Sequence, residues 1–207
     1  MKLAAFLILS VALPGFAATN QLDFIWGRGS PRGSIQAQNA SEQNGLRGSL
    51  WSLDALHPIS DDAYLGMGIG HFGSKDNNSA AFIPGSVTTI SSSKTSTLLL
   101  GRKDLLQGYR FVPYAIAGIG WVKNSLKVST PEGTLVDETK NAFGYVGGLG
   151  LDLLMTQRWV LGIEARYEGS PSEAYDLTDY GQATTGLSEF RTPISLFSAG
   201  LKIGYKY

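Results

Sequence analysis

The chain has 207 residues, with 17 lysines and arginines against 17 aspartates and glutamates, and it contains no cysteine. Balanced charge without a basic run argues against a nucleic-acid partner, and the lack of cysteine excludes disulfides, thiolate metal sites and cysteine nucleophiles.

The first segment has the pattern of a secretory signal peptide. Lys2 precedes an apolar run over residues 3–13, and small residues ending at Ala17 favour cleavage before Ala18. We therefore predict a signal peptide over residues 1–17 and one domain over residues 18–207. An uncleaved anchor helix is the alternative, but the apolar run is shorter than the ~20 residues that a helical span requires.

The remainder alternates between strand-like segments and polar connectors. Strand character occurs at residues 22–26, 44–53, 63–72, 94–103, 109–124, 141–154, 158–169 and 195–207. Short connectors at 54–62, 104–108 and 155–157 alternate with long ones at 27–43, 73–93, 125–138 and 169–192. Short periplasmic turns opposite long outer loops are typical of bacterial outer-membrane barrels. We predict an all-β fold, an eight-stranded antiparallel up-and-down transmembrane β-barrel with periplasmic termini and long loops outside.

The fifth strand can be interpreted in two phases, because Ile116 and Ile119 lie on opposite faces of a strand. We prefer the phase that directs Tyr109, Phe111, Ala115, Ala117, Ile119 and Trp121 outward. This choice places aromatic residues at both ends of an apolar band, as in the two interfacial girdles of such barrels.

The segment over residues 141–169 predicts a hairpin with a three-residue turn at residues 155–157. In this register Leu153 faces Trp159, Leu151 faces Leu161, Leu149 faces Ile163 and Tyr145 faces Tyr167, all on one face. The opposite face carries Asp152, Glu164, Arg166 and Glu168, and Lys202 of the last strand also points inward.

Unpaired charge in a low-dielectric lumen is costly, so these five lumen charges are expected to pair with opposite charges. We favour a structural plug of ion pairs, and a gated narrow path is the alternative. The plug predicts that Glu164→Ala mainly lowers stability.

The last strand, over residues 195–207, alternates strictly. Its apolar face carries Phe197, Leu201, Ile203, Tyr205 and Tyr207, and its other face is small, polar or cationic. A soluble sandwich strand has the same pattern. The signal peptide and the repeated copies of the pattern favour the membrane barrel.

Three stretches carry a family resemblance: PYAIAGIGWV, GYVGGLGLDLLMTQRWVLGIEARYEG and the end IGYKY. They resemble the outer-membrane protein A-like and opacity-type small β-barrels, over roughly the second half of the chain. The aromatic end also resembles the assembly signal of outer-membrane proteins. The resemblance implies an outer-membrane barrel that contributes to envelope integrity, adhesion or surface interaction. It implies no catalytic residues or cofactor. The partners that it implies are lipid, lipopolysaccharide and the barrel-assembly machinery.

Two motifs point weakly to chemistry. The GxGxxG match at residues 68–73 is followed by a polar loop instead of a helix, so barrel glycines explain it better than a nucleotide site. His57 and His71 fall at opposite ends of adjoining strands and cannot share a metal. A lipid A-modifying esterase would pair His71 with a serine and a carboxylate, and only Ser74 and Asp76 lie nearby in sequence.

The long connector at residues 169–192 mixes acidic and aromatic residues. Tyr175, Asp176, Asp179 and Tyr180 are candidates for binding a host or other surface ligand. We therefore expect a non-enzymatic, monomeric outer-membrane protein that acts through its outer loops. A lipid A-modifying enzyme and a narrow small-solute channel are the alternatives.

Overall fold

The structure is a computed structural model that describes residues 19–32, 35–37, 40–42, 47–79, 87–106, 108–171, 173–186, 188–192 and 195–207. The predicted signal peptide over residues 1–17 lies outside the described residues.

Twelve strands and one helix are present in the described residues. The strands are β1 (Gln21–Arg32), β2 (Ile35–Ala37), β3 (Ala40–Glu42), β4 (Gly48–Pro58), β5 (Ala63–Ser79), β6 (Val87–Asp104), β7 (Phe111–Ser129), β8 (Thr134–Leu154), β9 (Trp159–Gly169), β10 (Glu173–Asp176), β11 (Glu189–Thr192) and β12 (Ser195–Lys206). The helix is α1 (Asp179–Thr185). No helix in the described part of the chain is long and apolar enough to cross a membrane.

Eight of the strands form a closed antiparallel barrel in the order β1-β12-β9-β8-β7-β6-β5-β4. The barrel closes where β1 pairs with β12, from Gln21 opposite Lys206 to Arg32 opposite Ser195. The predicted fold class is therefore confirmed. We call the end that holds Gln21 and Lys206 the terminal rim, and the opposite end the loop rim.

Alternation of side chains determines the two faces of the barrel wall. Trp121 is 70% exposed on the outside, whereas Ile116 of the same strand is 4% exposed inside. Phe111 and Ile119 also point outward, so the preferred phase of the fifth predicted strand is confirmed. In β12, Phe197, Leu201 and Ile203 are exposed and Tyr205 is half-buried, and Tyr207, directly after the strand, is exposed.

Several predicted connectors are wrong because strands run through them. The connector at residues 73–93 contains the ends of β5 and β6, and the one at 125–138 leaves only residues 130–133 between β7 and β8. β1 continues to Arg32, and β4 continues through Asp54 to Pro58. Outward side chains of these segments are polar, but the inward ones include apolar side chains such as Ile90 and Leu126. Burial of these side chains favours continued pairing of the strands.

The predicted hairpin register is also wrong, by two residues. Leu153 lies opposite Leu161 and Leu151 opposite Ile163, not opposite Trp159 and Leu161. The turn is longer because the hydroxyl of Thr156 accepts hydrogen bonds from the backbone N–H of Arg158 and of Trp159, at 3.1 Å and 2.9 Å. A shift of two residues leaves every side chain on its predicted face.

The last predicted loop, residues 169–192, contains β10, α1 and β11 instead of irregular chain. The short strands form a second sheet in the order β10-β11-β2-β3 at the loop rim. Thr178 caps α1 by accepting a hydrogen bond from the Gly181 N–H, and Gly186 ends the helix with φ of 70°. We call this sheet together with α1 the cap.

Candidate functional site

Charged side chains occupy much of the inside of the barrel. Those buried among the described residues are Asp23, Asp54, Lys94, Arg102, Asp104, Asp152, Glu164, Arg166, Glu168 and Lys202. The five lumen charges predicted from sequence belong to this set, which we call the charged plug. The other five were missed, although Asp23 and Arg102 lie in alternating strand segments whose inward positions could have identified them.

The plug is densest near the terminal rim. Nη2 of Arg102 lies 2.8 Å from Oδ1 of Asp104 and 2.8 Å from Oδ2 of Asp152. Nζ of Lys202 lies 2.7 Å from Oδ1 of Asp152 and 3.2 Å from Oδ2 of Asp23. Two cations and three carboxylates from β1, β6, β8 and β12 therefore form one network across the lumen.

Tyr114 connects this network to a second one. Cζ of Arg102 lies 3.8 Å and Nζ of Lys202 lies 4.2 Å from the centre of the Tyr114 ring, both within cation–π range. The Tyr114 hydroxyl donates a 2.6 Å hydrogen bond to Glu164. The Tyr114 ring therefore contacts a cation on its face twice, and its hydroxyl is fixed by a hydrogen bond.

The second network surrounds Arg166. Its guanidinium forms ion pairs with Glu164 of the same strand and with Asp54 on β4. Nearer the loop rim, Nζ of Lys94 lies 3.4 Å from Oε2 of Glu168. Eight-stranded barrels have an interior just wide enough for side chains, and these pairs occupy it at several levels.

Inward glycines make room for these large side chains. A Cβ on Gly150 would overlap the ring of Tyr114, and one on Gly204 would overlap Oδ1 of Asp23. On β9 a Cβ at Gly162 would lie 2.5 Å from Oδ1 of Asp152. These three glycines therefore make room for Tyr114 and for side chains of the plug. No group of three or more His, Asp or Glu side chains in the described ranges is arranged to hold a metal ion.

The cap closes the loop rim over an apolar cluster. The cluster consists of Ile90, Leu126, Val128, Leu135, Val136, Tyr175 and Leu177, with Tyr180 packed against it. Tyr175 is 0% exposed, so it holds the cap together and does not present its ring to a ligand. Asp176 and Asp179 are exposed, and Tyr180 is half-buried.

Polar contacts attach the cap to the barrel wall. The backbone N–H of Thr178 donates to the carbonyl of Leu135 at 2.9 Å. The backbone N–H of Asp176 donates to Oε2 of Glu138 at 2.6 Å. The unpaired upper edge of β8 is therefore partly covered by the segment that leads into α1.

The two histidines lie apart, with separate partners. Nδ1 of His57 lies 2.7 Å from Oδ1 of Asn20 at the terminal rim. Nδ1 of His71 lies 3.1 Å from Oγ1 of Thr95 on the outer face. Ser74 points to the inside, where its hydroxyl donates to the carbonyl of Ser92 at 3.4 Å. His71 and Ser74 lie on opposite faces of β5 and do not form a nucleophile–base pair.

Exposed apolar side chains surround the barrel and end in aromatic rings at both rims. At the terminal rim the rings of Trp159 and Tyr205 pack edge to face, with centroids 4.9 Å apart. Towards the loop rim Trp121 and Phe143 pack in the same way at 5.9 Å. This distribution is the reverse of that in a water-soluble protein and suits a hydrocarbon surrounding.

No protein-family model and no curated protein sequence matches the chain. Among solved structures, it is similar to the outer membrane protein OprG of Pseudomonas aeruginosa, with a TM-score of 0.60 and 12% identity over 92% of this chain and 97% of that one. The chain has the fold of a bacterial outer-membrane β-barrel.

Two further structures share this fold. The outer membrane protease OmpT of Escherichia coli gives a TM-score of 0.56 and 10% identity over 95% of this chain and 99% of that one. A major outer membrane protein of Thermus thermophilus gives a TM-score of 0.54 and 12% identity over 91% of this chain and 99% of that one. Identities this low show the fold alone, and the presence of a protease among these proteins means that the fold does not decide between enzyme and non-enzyme.

Proposed function

We propose that the chain is an integral protein of the bacterial outer membrane, related to the outer-membrane protein A-like and opacity-type barrels. The apolar outer face supports a membrane location. The connectors at the terminal rim, residues 59–62, 105–110 and 155–158, are short, which supports a periplasmic terminal rim and an outer loop rim. The barrel-assembly machinery would then receive the aromatic face of β12.

Within that membrane, we propose that the protein is a non-enzymatic surface barrel that acts through the cap. The observation that carries this proposal is the buried core of the cap, centred on Tyr175 and Leu177. A connector needs only to span two strand ends, whereas this one contributes two strands of a sheet and a capped helix that hold a fixed outer surface. Fixed surfaces bind with less loss of conformational entropy than flexible loops.

The test separates the surface of the cap from its core. Replacing Asp176, Asp179 and Glu189 by Asn, Asn and Gln removes three exposed charges, including the carboxylate of Asp176 that lies 3.9 Å from Nζ of Lys140, and Tyr175→Ala removes a buried ring from the core. Bacteria that display each variant are compared for adhesion to host cells and to abiotic surfaces. We expect both variants to adhere less than the native protein. Full adhesion by both would exclude the cap as the functional surface.

A narrow channel is the second candidate, because lumen charges can also line a path. The close pairing of Arg102, Lys202 and Arg166 with carboxylates favours a closed lumen. We expect no single-channel conductance from the native protein in planar bilayers, and a steady conductance would favour the channel.

A lipid A-modifying enzyme is disfavoured by the orientation of Ser74 away from His71. Mass spectrometry of lipid A from matched cells with and without the protein tests this directly. An acyl chain gained or lost would establish an enzyme.

A further inference from the structure

The charged plug carries more buried negative charge than positive charge. Among the described residues it contains six carboxylates and four cationic side chains. The network around Arg166 shares this excess, because one guanidinium there forms ion pairs with two carboxylates, those of Glu164 and Asp54. Uncompensated charge is costly in a low-dielectric interior, so a further positive charge beside this network would stabilise the barrel.

One oxygen of Asp54 lies outside these ion pairs. Its Oδ2 accepts the contact from Arg166, whereas Oδ1 is buried and has no hydrogen-bond partner among the described residues. The hydroxyl of Ser52, two positions earlier on the inward face of β4, is also buried without a partner in that part of the chain. Ser52 is 5% exposed and Asp54 is 1% exposed. Buried polar atoms are seldom unpaired in native proteins, and a bound ion or water is a common reason where they are.

Two glycines on β5 leave space beside these atoms. Ser52 lies opposite Gly70, which in turn lies opposite the buried Ser96 on β6. A Cβ on Gly70 would lie 3.0 Å from Oγ of Ser96 and 3.5 Å from Cβ of Ser52. Asp54 lies opposite Gly68, where a Cβ would lie 2.5 Å from its Oδ1. Three oxygen-bearing side chains therefore border one short stretch of bare backbone, and we call Ser52, Asp54 and Ser96 the oxygen cluster.

The chemistry of the oxygen cluster suits a monovalent metal ion. Carboxylate and hydroxyl oxygens are hard ligands and prefer hard cations. One positive charge would balance the single excess charge that Asp54 and Glu164 have over Arg166, whereas a divalent ion would reverse its sign. A water molecule would satisfy the hydrogen bonds but would leave the excess charge in place.

We infer that the oxygen cluster binds a monovalent alkali cation, sodium or potassium, inside the barrel. Asp54 contributes a charged oxygen through Oδ1, Ser52 and Ser96 contribute hydroxyl oxygens, and the missing side chains of Gly68 and Gly70 provide the space. The cation neutralises the network while Asp54 keeps its contact with Arg166. This site goes beyond the proposed function and does not depend on it, because it belongs to the barrel interior and not to the cap.

The test is unfolding of the full chain by urea in lipid vesicles that contain sodium, potassium or choline chloride at equal ionic strength. Choline is an organic cation too large for the oxygen cluster, so it controls for screening of charge by salt. A cation that binds only the folded chain lowers the equilibrium constant for unfolding roughly tenfold for each tenfold rise in its concentration above the dissociation constant. We expect this dependence in sodium or potassium chloride and none in choline chloride.

Two pairs of variants locate the effect. Ser52→Ala removes one ligand with little change in volume and should weaken the apparent affinity for the alkali cation by about tenfold or more. Its control is Ser198→Ala, which removes a buried hydroxyl that donates to the carbonyl of Arg166 at 3.5 Å. Asp54→Asn should abolish the dependence on the cation, whereas Asp104→Asn, which neutralises a carboxylate paired with Arg102 nearer the terminal rim, should retain it. Ser52→Ala decides the matter if Asp54→Asn fails to fold.

Equal unfolding of the native protein in all three salts would overturn the inference, and so would a cation dependence that Ser52→Ala retains in full. Stability that varies with pH but is the same in all three salts would mean that a proton neutralises Asp54, which also overturns the metal site. Adhesion assays and fractionation of cell envelopes test the proposed function separately, so the two proposals fail independently.

Discussion

Tyr114 and Gly150 lie opposite each other on paired strands inside the barrel, and the Tyr114 ring occupies the space that a side chain at Gly150 would need. The ring is held there by Arg102 and Lys202 on its face and by Glu164 at its hydroxyl. The absence of a side chain at Gly150 on β8 thus leaves room for the Tyr114 ring and its contacts with Arg102, Lys202 and Glu164.

Gly150→Ala should destabilise the barrel, because the new methyl group displaces a ring that has three fixed partners. Overpacking of this kind costs about 1–3 kcal/mol. The measurement is the free energy of unfolding by urea in lipid vesicles. Gly147→Ala on the same strand is the control, since a Cβ there meets nothing within 4 Å. Equal free energies of unfolding for the two variants would show that the Tyr114 ring can move aside without loss of stability.

Glu164→Ala should mainly lower stability, as the plug requires. The change leaves the buried Tyr114 hydroxyl without its acceptor and Arg166 with Asp54 as its remaining ion-pair partner in the described network. Removing one member of a buried ion pair typically costs about 3–5 kcal/mol. Unfolding in vesicles and conductance in planar bilayers are measured together, with Asp61→Ala in an exposed turn as control. An unchanged melting temperature together with raised conductance would contradict the structural plug and support a gated path through the lumen.

Tyr175→Ala should loosen the cap while leaving the barrel intact. Truncating a fully buried aromatic residue costs about 3–5 kcal/mol, and this ring lies in the apolar cluster of the cap. We expect faster proteolysis within residues 173–192 on intact cells, with unchanged heat-modified gel mobility of the barrel. Thr184→Ala is the control, because that exposed side chain only donates to the carbonyl of Tyr180. Proteolysis at the native rate would mean that the cap does not depend on its core.

Lys103→Ala should raise the pKa of Asp62 in the turn between β4 and β5. Hydrogen bonds from Lys103 and then from Ser60 hold the pKa of this carboxyl below its ordinary value. A lowered pKa in the folded state stabilises the fold above the unfolded-state pKa of about 3.9, and this contribution is lost as the pH falls through the folded-state pKa.

The carboxyl ¹³C shift of Asp62 against pH measures this pKa directly. In the Lys103→Ala protein its midpoint should move upward but remain below that of a free aspartate, because Ser60 still donates a 2.8 Å hydrogen bond. Lys127→Ala at the loop rim should leave the midpoint unchanged. A midpoint that does not move in the Lys103→Ala protein would mean that the ion pair is absent in solution.

Alternating hydrophobicity, with the order of short and long connectors, was sufficient to predict the barrel, the number of its strands and, where a phase was assigned, the face of its side chains. Ile119 and Trp121 point outward and Glu164 and Lys202 inward, as their phase indicated. A strand directs alternate residues to opposite sides wherever it pairs, so this information is local. The same locality explains the error in the hairpin register, because a register shift of two residues preserves the faces. The alternation pattern also carries no information about the hydrogen bonds that the Thr156 hydroxyl accepts in the turn.

The partners inside the barrel and the structure of the cap depended on closure of the sheet. Asp54 was assigned to a connector, yet it pairs with Arg166, 112 positions away in the sequence. Tyr175 was assigned to a binding loop, yet it packs against Leu135 and Val136 at the end of a different hairpin. Contacts between strands far apart in sequence leave no periodic signal in either segment. The chain therefore encodes its faces residue by residue, whereas the pairing of its charges and the burial of its cap arise only when β1 meets β12 and the barrel closes.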